Sequence, residues 1–284
     1  QTIEALHAHG FLAPFAIQEM VLPIALADGD VIGQAKTGTG KTLAFGIPVI
    51  ERVIAPNDVE WADFANKGMP QVLIVVPTRE LCTQVTRDIE ELASNRGIRT
   101  VAVYGGRAFE PQIEALQAGV EIVVGTPGRL LDLSRQGQLK LKEVSRLVLD
   151  EADEMLDMGF REDIEFVLSK MPQERQTIFF SATMSKPIME LTKRYQNDPV
   201  IVKVVHKELT VTNIDQVYFE VRNSMKQEVL SRILDMYNMK SVIIFCNTKR
   251  MVDELVTSLQ SRGYFADALH GDLNQNQRNR NLER

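Results

Sequence analysis

Short apolar runs alternate with amphipathic stretches from about residue 30 to residue 205 of the chain. The runs have the length and composition of buried strands, whereas the stretches between them carry apolar residues at helical spacing. Alternation of this kind predicts an α/β fold in which a mostly parallel sheet is covered by helices on both faces. The predicted strands are residues 72–76, 100–104, 120–124, 147–149 and 177–180. The predicted helices are residues 79–95, 111–117, 129–135, 161–170 and 187–195.

The alternation pauses in a polar stretch at residues 206–213 and then restarts. We therefore expect a first domain at residues 1–205, a link at 206–213 and the N-terminal portion of a second, truncated α/β domain at 214–284. In that portion the predicted strands are residues 216–221, 241–245 and 265–269, and the predicted helices are 225–237 and 249–262. Residues 57–69 lack clean periodicity and are predicted to form a surface insertion.

The overall charge limits how this chain can bind a polyanion. Its formal net charge is −6 and its isoelectric point is about 5.4, so nucleic-acid contacts need individually placed groups rather than a general positive field. The two cysteines, Cys82 and Cys246, lie far apart without metal-ligand spacing, which indicates packed thiols in a reducing, cytoplasmic compartment. No apolar run approaches the ~18 residues that a membrane helix needs, so no membrane partner is expected.

A glycine-rich loop lies between the apolar residues Val31 and Ile32 and the helical run 43–53, which is the context of a phosphate-binding loop. Backbone N–H groups of such a loop attract phosphate, the lysine reaches the β- and γ-phosphates, and the hydroxyl after it binds Mg²⁺. The general pattern has glycine where Ala35 stands, and the alternative is a chance turn before a helix. The predicted nucleotide-binding residues of the loop are Ala35, Lys36, Thr37, Gly38, Thr39, Gly40, Lys41 and Thr42.

Two acidic residues directly follow the predicted strand 147–149. Ligands of open parallel sheets bind at the carboxyl ends of the strands, so we expect Asp150 and Glu151 to lie beside a bound nucleotide. Asp150 is predicted to hold Mg²⁺, and Glu151 to orient or deprotonate the attacking water. The alternative is a helix N-terminus that merely carries acids. With Lys41 and Thr42, these carboxylates form the predicted catalytic set of an enzyme that hydrolyses a nucleoside triphosphate.

Seven short motifs stand in a fixed order, and together they carry a resemblance to a known family. They are Gly10-Phe11 with Pro14 and Ile17-Gln18, the glycine-rich loop, Pro77-Thr78-Arg79-Glu80-Leu81, Gly105-Gly106, Thr126-Pro127-Gly128-Arg129, Asp150-Glu151-Ala152-Asp153 and Ser181-Ala182-Thr183. The chain resembles the DEAD-box ATP-dependent RNA helicases. The resemblance implies a RecA-like phosphate-loop domain followed by part of a second RecA-like domain, with ATP and Mg²⁺ bound.

The implied activity is RNA-stimulated ATP hydrolysis coupled to local unwinding of an RNA duplex. An ATP-dependent RNA clamp without productive unwinding is the alternative, and a phosphate-loop kinase or DNA motor is a third, less favoured interpretation. The resemblance implies that Gln18 selects adenine and that Phe11 lies against the base, unless Phe11 packs in the core. Phe15 departs from the family pattern, in which a residue with a side-chain hydroxyl stands at this position and ties the segment to the phosphate loop.

The RNA contacts implied by the resemblance are to the sugar-phosphate backbone, so binding is expected to be independent of sequence. Seen alone, Gly105-Gly106 is equally a strand-ending turn, and Arg129 is equally a solvated helix charge. The implied RNA-binding residues are Arg79, Gly105, Gly106, Thr126, Gly128, Arg129, Thr248, Gln275 and Arg278. Ser181 and Thr183 are implied to couple the acidic motif to RNA binding, with Asp153 as their hydrogen-bond partner.

The last motifs of the family do not occur before residue 284. They include arginines that reach the γ-phosphate, and an arginine of this kind contributes ~10³–10⁵ in rate in comparable enzymes. We therefore expect the polypeptide as given to show little ATP hydrolysis and no strand separation by itself.

Overall fold

The computed structural model describes residues 2–36, 38–204, 214–237 and 239–282. Contacts between residues divide the chain into two compact units, Gln1–Val205 and His206–Arg284. The predicted link at residues 206–213 lies outside the described residues. Among the helices that are described, none combines the length and the apolar character needed to cross a membrane.

A single parallel sheet forms the centre of the first unit. Its strands are β1 (Val31–Gln34), β2 (Val72–Val75), β3 (Thr100–Val103), β4 (Ile122–Gly125), β5 (Arg146–Leu149), β6 (Gln176–Ser181) and β7 (Val200–Lys203). The seven strands lie in the order β3-β4-β2-β5-β6-β1-β7, and every neighbouring pair is parallel. The predicted parallel α/β sheet is therefore confirmed.

Helices cover both faces of this sheet, as predicted. They are α1 (Thr2–Ala8), α2 (Ala16–Leu26), α3 (Lys41–Arg52), α4 (Arg79–Ala93), α5 (Glu110–Ala118), α6 (Pro127–Arg135), α7 (Ala152–Asp157), α8 (Arg161–Leu168) and α9 (Lys186–Tyr195). Successive strand residues point to opposite faces. Ile74 and Val148 accordingly pack with α2, α3 and α4, whereas Leu73 and Leu147 pack with α6, α8 and α9. The sheet is thus buried on both faces, which explains why its central strands are continuous apolar runs.

Four elements of the first unit were not predicted from the sequence: α1, α2, α7 and β7. Strand β7 lies at one end of the sheet, where Val200 and Ile201 are 46% and 56% exposed, so it lacks the buried environment of the central strands. The predicted insertion at residues 57–69 contains a short 3-10 helix, Val59–Ala62. Trp61 of that turn lies against the Arg99 guanidinium, 5.9 Å from the ring centre to Cζ.

The second unit contains α10 (Lys226–Tyr237), α11 (Lys249–Ser261) and α12 (Gln275–Leu282). The helices predicted at residues 225–237 and 249–262 are therefore confirmed. The three strands predicted in this unit are wrong, because no paired strand occurs within residues 214–237 and 239–282. Their apolar side chains are exposed, as at Tyr218 (84%) and Phe245 (92%). An apolar, β-branched segment becomes a strand only where a partner strand bonds to it, and no described residue of this unit supplies one.

Candidate active site

Three neighbouring strands bring the predicted catalytic segments to one edge of the sheet. The glycine-rich loop follows β1, the acidic motif follows β5, and Ser181 ends β6. In the sheet β6 lies between β5 and β1. Because the strands are parallel, their carboxyl ends meet at the same edge, where ligands of open α/β sheets bind. The fold therefore brings together segments that are far apart in sequence.

The glycine-rich loop has a backbone conformation that glycine permits. Gly38 and Gly40 have φ angles of 80° and 82°, in the left-handed region that residues with a Cβ atom disfavour. Gly40 immediately precedes α3, so the unpaired N–H groups of the first helical turn lie beside the loop. Thr42 is half-buried in this turn. The loop and helix form an arrangement that attracts phosphate oxygens.

Two hydrogen bonds hold the first residues of the glycine-rich loop in place. The Ala35 N–H donates to the Ser181 carbonyl at 3.1 Å, which joins the loop to β6. The Thr39 hydroxyl donates to the Lys36 carbonyl at 2.8 Å. Thr37, predicted to bind nucleotide, lies outside the described residues. Ala35, Lys36, Gly38, Thr39 and Gly40 lie between β1 and α3 as predicted, whereas Lys41 and Thr42 are the first residues of α3.

Lys41 is buried at the start of α3, and its ammonium lies among the predicted catalytic carboxylates. The Lys41 Nζ is 3.2 Å from Asp150 Oδ1 and 3.9 Å from Glu151 Oε1. Burial raises the pKa of Asp150, which is only 2% exposed, and attraction to Lys41 opposes that rise. Burial likewise raises the pKa of Glu151, again opposed by Lys41. The structure therefore places one buried cation between two carboxylates at the phosphate-binding edge.

Glu151 has a left-handed backbone, with a φ angle of 53°. A residue with a Cβ atom adopts this region at a cost of roughly 1–2 kcal/mol, so the turn needs support. Asp150 supplies it, because its Oδ1 accepts a hydrogen bond from the Glu151 N–H at 2.9 Å. The turn directs the chain from the end of β5 into α7. Strained residues of this kind gather at functional sites.

Gln18 joins the segment at the start of α2 to the glycine-rich loop. Its Nε2 donates to the Gly40 carbonyl at 2.9 Å, and its Oε1 accepts from the Phe15 N–H at 2.8 Å. The Phe15 ring lies over the same glycine, where an added Cβ would be 2.6 Å from Phe15 Cδ2. Gln18 and Phe15 thus make the tie that a hydroxyl residue makes in the family pattern. Phe11 is 43% exposed, so its interpretation as a core residue is wrong.

Asp153 connects the acidic motif to the end of β6. Its carboxylate accepts backbone hydrogen bonds from Thr183 (2.9 Å) and Ala182 (3.4 Å). Burial acts to raise the pKa of Asp153, but hydrogen bonds from Thr183 and its neighbours outweigh burial and lower the pKa. The Ser181 hydroxyl donates to the Thr183 carbonyl at 2.6 Å. Gln34 adds a link that the sequence analysis missed, since its Nε2 donates to the Ala182 carbonyl at 3.1 Å; its place at the end of β1 is the only sequence signal for it.

The predicted RNA-binding residues of the first unit follow strands β2, β3 and β4. Strands β3, β4 and β2 adjoin one another, so these residues reach the same edge of the sheet as the catalytic segments. Arg79 begins α4, and its guanidinium lies over the turn Gly105-Gly106 that follows β3. A Cβ added at Gly106 would be 2.7 Å from Arg79 Cζ, and Gly106 has a φ angle of 80°. The left-handed backbone of this turn therefore favours glycine at position 106.

Arg129 is buried in the first turn of α6, with 7% exposure, so the alternative of a solvated helix charge is wrong. Its Nη2 donates to the Arg107 carbonyl at 2.9 Å, and its guanidinium stacks on Phe109 with Cζ 3.8 Å from the ring centre. Burial lowers the pKa of Arg129. Gly128 shares this turn, and Thr126 immediately precedes it and is buried. Arg129 therefore holds the loop after β3 in place.

The predicted RNA-binding residues of the second unit lie at two helix starts. Thr248 caps α11, because its hydroxyl accepts from the Met251 N–H at 3.2 Å. Gln275 begins α12, and the Arg278 N–H donates to the Asn274 carbonyl at 3.0 Å in the first turn of that helix. Their roles as RNA contacts stay predictions.

The donor set at the catalytic edge fits one kind of metal ion. Across the described ranges 2–36, 38–204, 214–237 and 239–282, no group of three or more His, Cys, Asp or Glu side chains is arranged to hold a metal. Asp150 and the Thr42 hydroxyl fit a hard cation that takes most of its ligands from water and phosphate oxygens, as Mg²⁺ does.

Comparisons with known proteins agree with this arrangement. Residues 15–191 match the family model of the DEAD/DEAH box helicases, and residues 225–284 match that of the helicase conserved C-terminal domain. The chain is 46% identical to a DEAD-box ATP-dependent RNA helicase CshA of Geobacillus kaustophilus, over 98% of this chain and 57% of the relative. It is 44% identical to the CshA of Bacillus subtilis, over 97% of this chain and 54% of the relative.

A solved structure shows the same fold. The crystal structure of a DEAD box protein from the hyperthermophile Methanococcus jannaschii has a TM-score of 0.67 and 40% identity, covering 99% of this chain and 73% of that one. The chain spans about half the length of the curated relatives it matches. The family model alone matches more than half of the chain, and the ordered motifs lie where the sheet brings them together. The chain belongs to the DEAD/DEAH box helicase family.

Proposed function

We propose that this chain acts in RNA-stimulated ATP hydrolysis coupled to local unwinding of RNA duplexes. The observation that carries the proposal is the cluster of Lys41, Asp150 and Glu151, in which ion-pair distances of 3.2 Å and 3.9 Å join three buried or half-buried groups beside a glycine-rich loop. The relatives named above are described as ATP-dependent RNA helicases. The names of these relatives indicate RNA and ATP as the substrates, and the cluster of Lys41, Asp150 and Glu151 supports ATP hydrolysis as the reaction.

Lys41 is proposed to bind the β- and γ-phosphates. Its ammonium is paired with Asp150 in the structure, so entry of a triphosphate exchanges one anionic partner for another. The buried charge stays compensated through this exchange, which avoids the large cost of an unpaired buried ion. Glu151 is proposed to orient the attacking water and to accept its proton. The raised pKa of Glu151 makes its carboxylate a stronger base than an exposed glutamate.

Mg²⁺ is proposed to be held by Asp150 and the Thr42 hydroxyl. When bound, the ion neutralises charge on the phosphate oxygens. Asp150 has only 2% exposure, and its Oδ1 already serves Lys41 and the Glu151 N–H. This fits a role in which the carboxylate holds the cation through water molecules, as Mg²⁺ prefers.

Gln18 is proposed to select adenine. A side-chain amide has two N–H donors and two acceptor lone pairs, and Gln18 uses one donor on Gly40 and one lone pair on the Phe15 N–H. One donor and one lone pair stay available. They match the N7 acceptor and the N6 donor of adenine, whereas guanine offers two acceptors at the same edge. The exposed ring of Phe11 is proposed to lie against the base.

RNA is proposed to bind through its backbone at Arg79, Gly105, Gly106, Thr126, Gly128 and Arg129, with Thr248, Gln275 and Arg278 contributing from the second unit. Contacts of this kind do not read bases, so binding is independent of sequence. The net charge of −6 is compatible with this, because the binding groups are placed locally on one sheet edge. We propose Asp153, Ser181 and Thr183 as coupling residues, since their hydrogen bonds join the acidic motif to the end of β6.

The proposal is tested by measuring ATP hydrolysis by the protein that contains this chain, with an RNA oligonucleotide or a DNA of the same sequence. We expect stimulation by RNA alone, loss of nucleotide binding in Lys41→Ala, and retained binding without turnover in Glu151→Gln. Asp157→Asn, an acid at the end of α7, is a matched control and should keep the wild-type rate. Equal ATP handling in all four proteins would contradict the proposal.

A further inference from the structure

Strand β3 lies at one end of the sheet, so one of its two sides has no neighbouring strand among the described residues. The Arg99 carbonyl accepts from the Ile122 N–H at 3.2 Å, and the Val103 carbonyl accepts from the Thr126 N–H at 2.9 Å, so both carbonyls face β4. Backbone groups along a strand alternate between its two sides. The N–H and C=O groups of Thr100 and Ala102 therefore point away from β4, toward the free edge.

The next position along this edge already carries an amide. The Tyr104 N–H donates to Gln112 Oε1 at 3.1 Å, and Gln112 Nε2 donates back to the Tyr104 carbonyl at 3.3 Å. Gln112 is 6% exposed, and its Nε2 also donates to the Ala108 carbonyl at 3.0 Å. Its side-chain amide thus occupies the place that a peptide group of a neighbouring strand would take. The edge of β3 is therefore shaped to receive amides.

A cavity of about 490 Å³ lies beside the two unoccupied positions. It is lined by Thr100, Val101 and Ala102 of β3, by Glu90 of α4, and by Arg107 in the loop before α5. The volume falls within the range of about 300–1,000 Å³ that ligand sites have. The Thr100 hydroxyl is buried, and none of the described residues gives it a hydrogen-bond partner. Buried polar groups of this kind normally have partners, so a ligand that reached this hydroxyl would supply the partner that it lacks.

We propose that this edge binds an extended peptide segment of another protein, which adds a strand beside β3. The peptide's backbone would pair with Thr100 and Ala102, and a shift of the Thr100 side chain on binding would let one of the peptide's polar groups bond to its hydroxyl. Glu90 and Arg107 carry opposite charges at the cavity wall, so a β-branched segment flanked by one basic and one acidic residue is complementary. A second copy of the chain fits less well, because its own edge strand is flanked by α4 and α5, which would enter the same opening.

The probe is the N-acetylated, C-amidated pentapeptide Lys-Val-Thr-Val-Glu carrying a fluorophore, titrated with the folded chain and followed by fluorescence anisotropy. We expect a Kd below about 1 mM. The same peptide with N-methylated valines is the control, since it keeps every side chain but loses backbone donors. Failure of the unmethylated peptide to bind, or equal binding of both peptides, would overturn the proposal.

Protein variants locate the binding. Ala102→Pro removes a backbone N–H group that faces the free edge, and it breaks no hydrogen bond to β4. We therefore expect the affinity for the peptide to fall about tenfold or more. Ile201→Pro is the matched control on β7. The Val200 and Val204 N–H groups donate to the Asp30 and Gln34 carbonyls, so they face β1. The Ile201 N–H therefore faces the free edge of β7. It should leave the affinity unchanged. Equal losses in both proline variants would contradict the location.

Thr100→Val keeps the shape of the side chain and removes its hydroxyl, so it reports on the site even if Ala102→Pro fails to fold. We expect a weaker affinity with an unchanged thermal midpoint. Self-association of the chain that Ala102→Pro abolishes, without binding of the peptide, would assign the edge to a second copy and overturn the proposal. Because this edge is remote from Lys41 in the sheet order, its occupancy is tested independently of ATP hydrolysis.

Discussion

Replacing Gln18 tests whether its amide holds the glycine-rich loop. Gln18→Glu keeps an oxygen that accepts from the Phe15 N–H. The second oxygen then replaces Nε2, which now lies 2.9 Å from the Gly40 carbonyl oxygen. The hydrogen bond to the Gly40 carbonyl is lost, and two oxygen acceptors then face each other at a side chain that is only 4% exposed. Gln18→Ala is the companion variant, because it loses both hydrogen bonds without adding a charge.

The magnitude follows from these contacts. A hydrogen bond of this kind contributes about 0.5–1.5 kcal/mol, so Gln18→Ala should lower the free energy of unfolding by about 2 kcal/mol. In a unit of this size, each kcal/mol of lost stability lowers the midpoint temperature of unfolding by roughly 2–4 °C. Gln18→Glu should cost about 1–3 kcal/mol at neutral pH, where its buried carboxylate is ionised. Burial raises the pKa of such a carboxyl, so the folded variant binds more protons than the unfolded chain, and its deficit shrinks as the pH falls.

Denaturant unfolding followed through Trp61, the single tryptophan of the chain, measures these changes in the unit that contains Gln18. A fluorescent ATP analogue measures nucleotide affinity in parallel. We expect both variants to bind ATP at least tenfold more weakly, with a smaller change for GTP, since we propose that the amide reads the adenine edge. A Gln18→Glu protein with wild-type stability and wild-type ATP affinity at neutral pH would refute the reasoning.

Three further predictions concern single side chains. Asp153→Asn should lower stability at neutral pH. Because folding lowers the pKa of Asp153, the difference should begin to shrink as the pH falls below about 4 and be lost as the pH falls through the folded-state pKa, as read in acid-unfolding curves. Burial raises the pKa of Cys82 to about 12, so a thiol reagent at pH 8 should modify Cys246 and spare Cys82 in the folded chain, as read by mass spectrometry. Arg129→Lys should weaken RNA binding by about 1 kcal/mol, because lysine keeps the charge but loses the stacked guanidinium; an unchanged affinity in filter binding would show that charge alone suffices.

The sheet of the first unit was predictable because its central strands are buried on both faces. Residues 72–75 are wholly apolar for this reason, and each apolar run predicted as a strand in the first unit corresponds to a strand. A strand at the end of the sheet is not buried on both faces and so need not be a continuous apolar run. Strand β7 was not predicted for this reason, although Val200 and Ile201 have strand-forming side chains. The second unit shows the opposite error. Residues 241–245 have strand composition, but composition records the capacity to pair and not the presence of a partner.

The cluster of Lys41, Asp150 and Glu151, for which we propose a catalytic role, was predictable because a short motif fixes each member. The strand ends that carry Lys41 and Asp150 meet wherever β1 and β5 belong to one parallel sheet. The support around this cluster was not predictable, because it depends on contacts between distant segments. Nothing in the sequence near Phe15 shows that its ring lies over Gly40. The burial of Arg129 likewise depends on Phe109, which belongs to another segment of the fold.

The most direct test of the central claim is a single-turnover assay on a short RNA duplex with a single-stranded extension, using the protein that contains this chain. We expect ATP to cause the duplex strands to separate, and we expect Glu151→Gln to block turnover and leave the protein bound to RNA without recycling. Retention of an intact duplex that depends on ATP, with no strand separation at any protein concentration, would contradict the helicase assignment and indicate an RNA clamp.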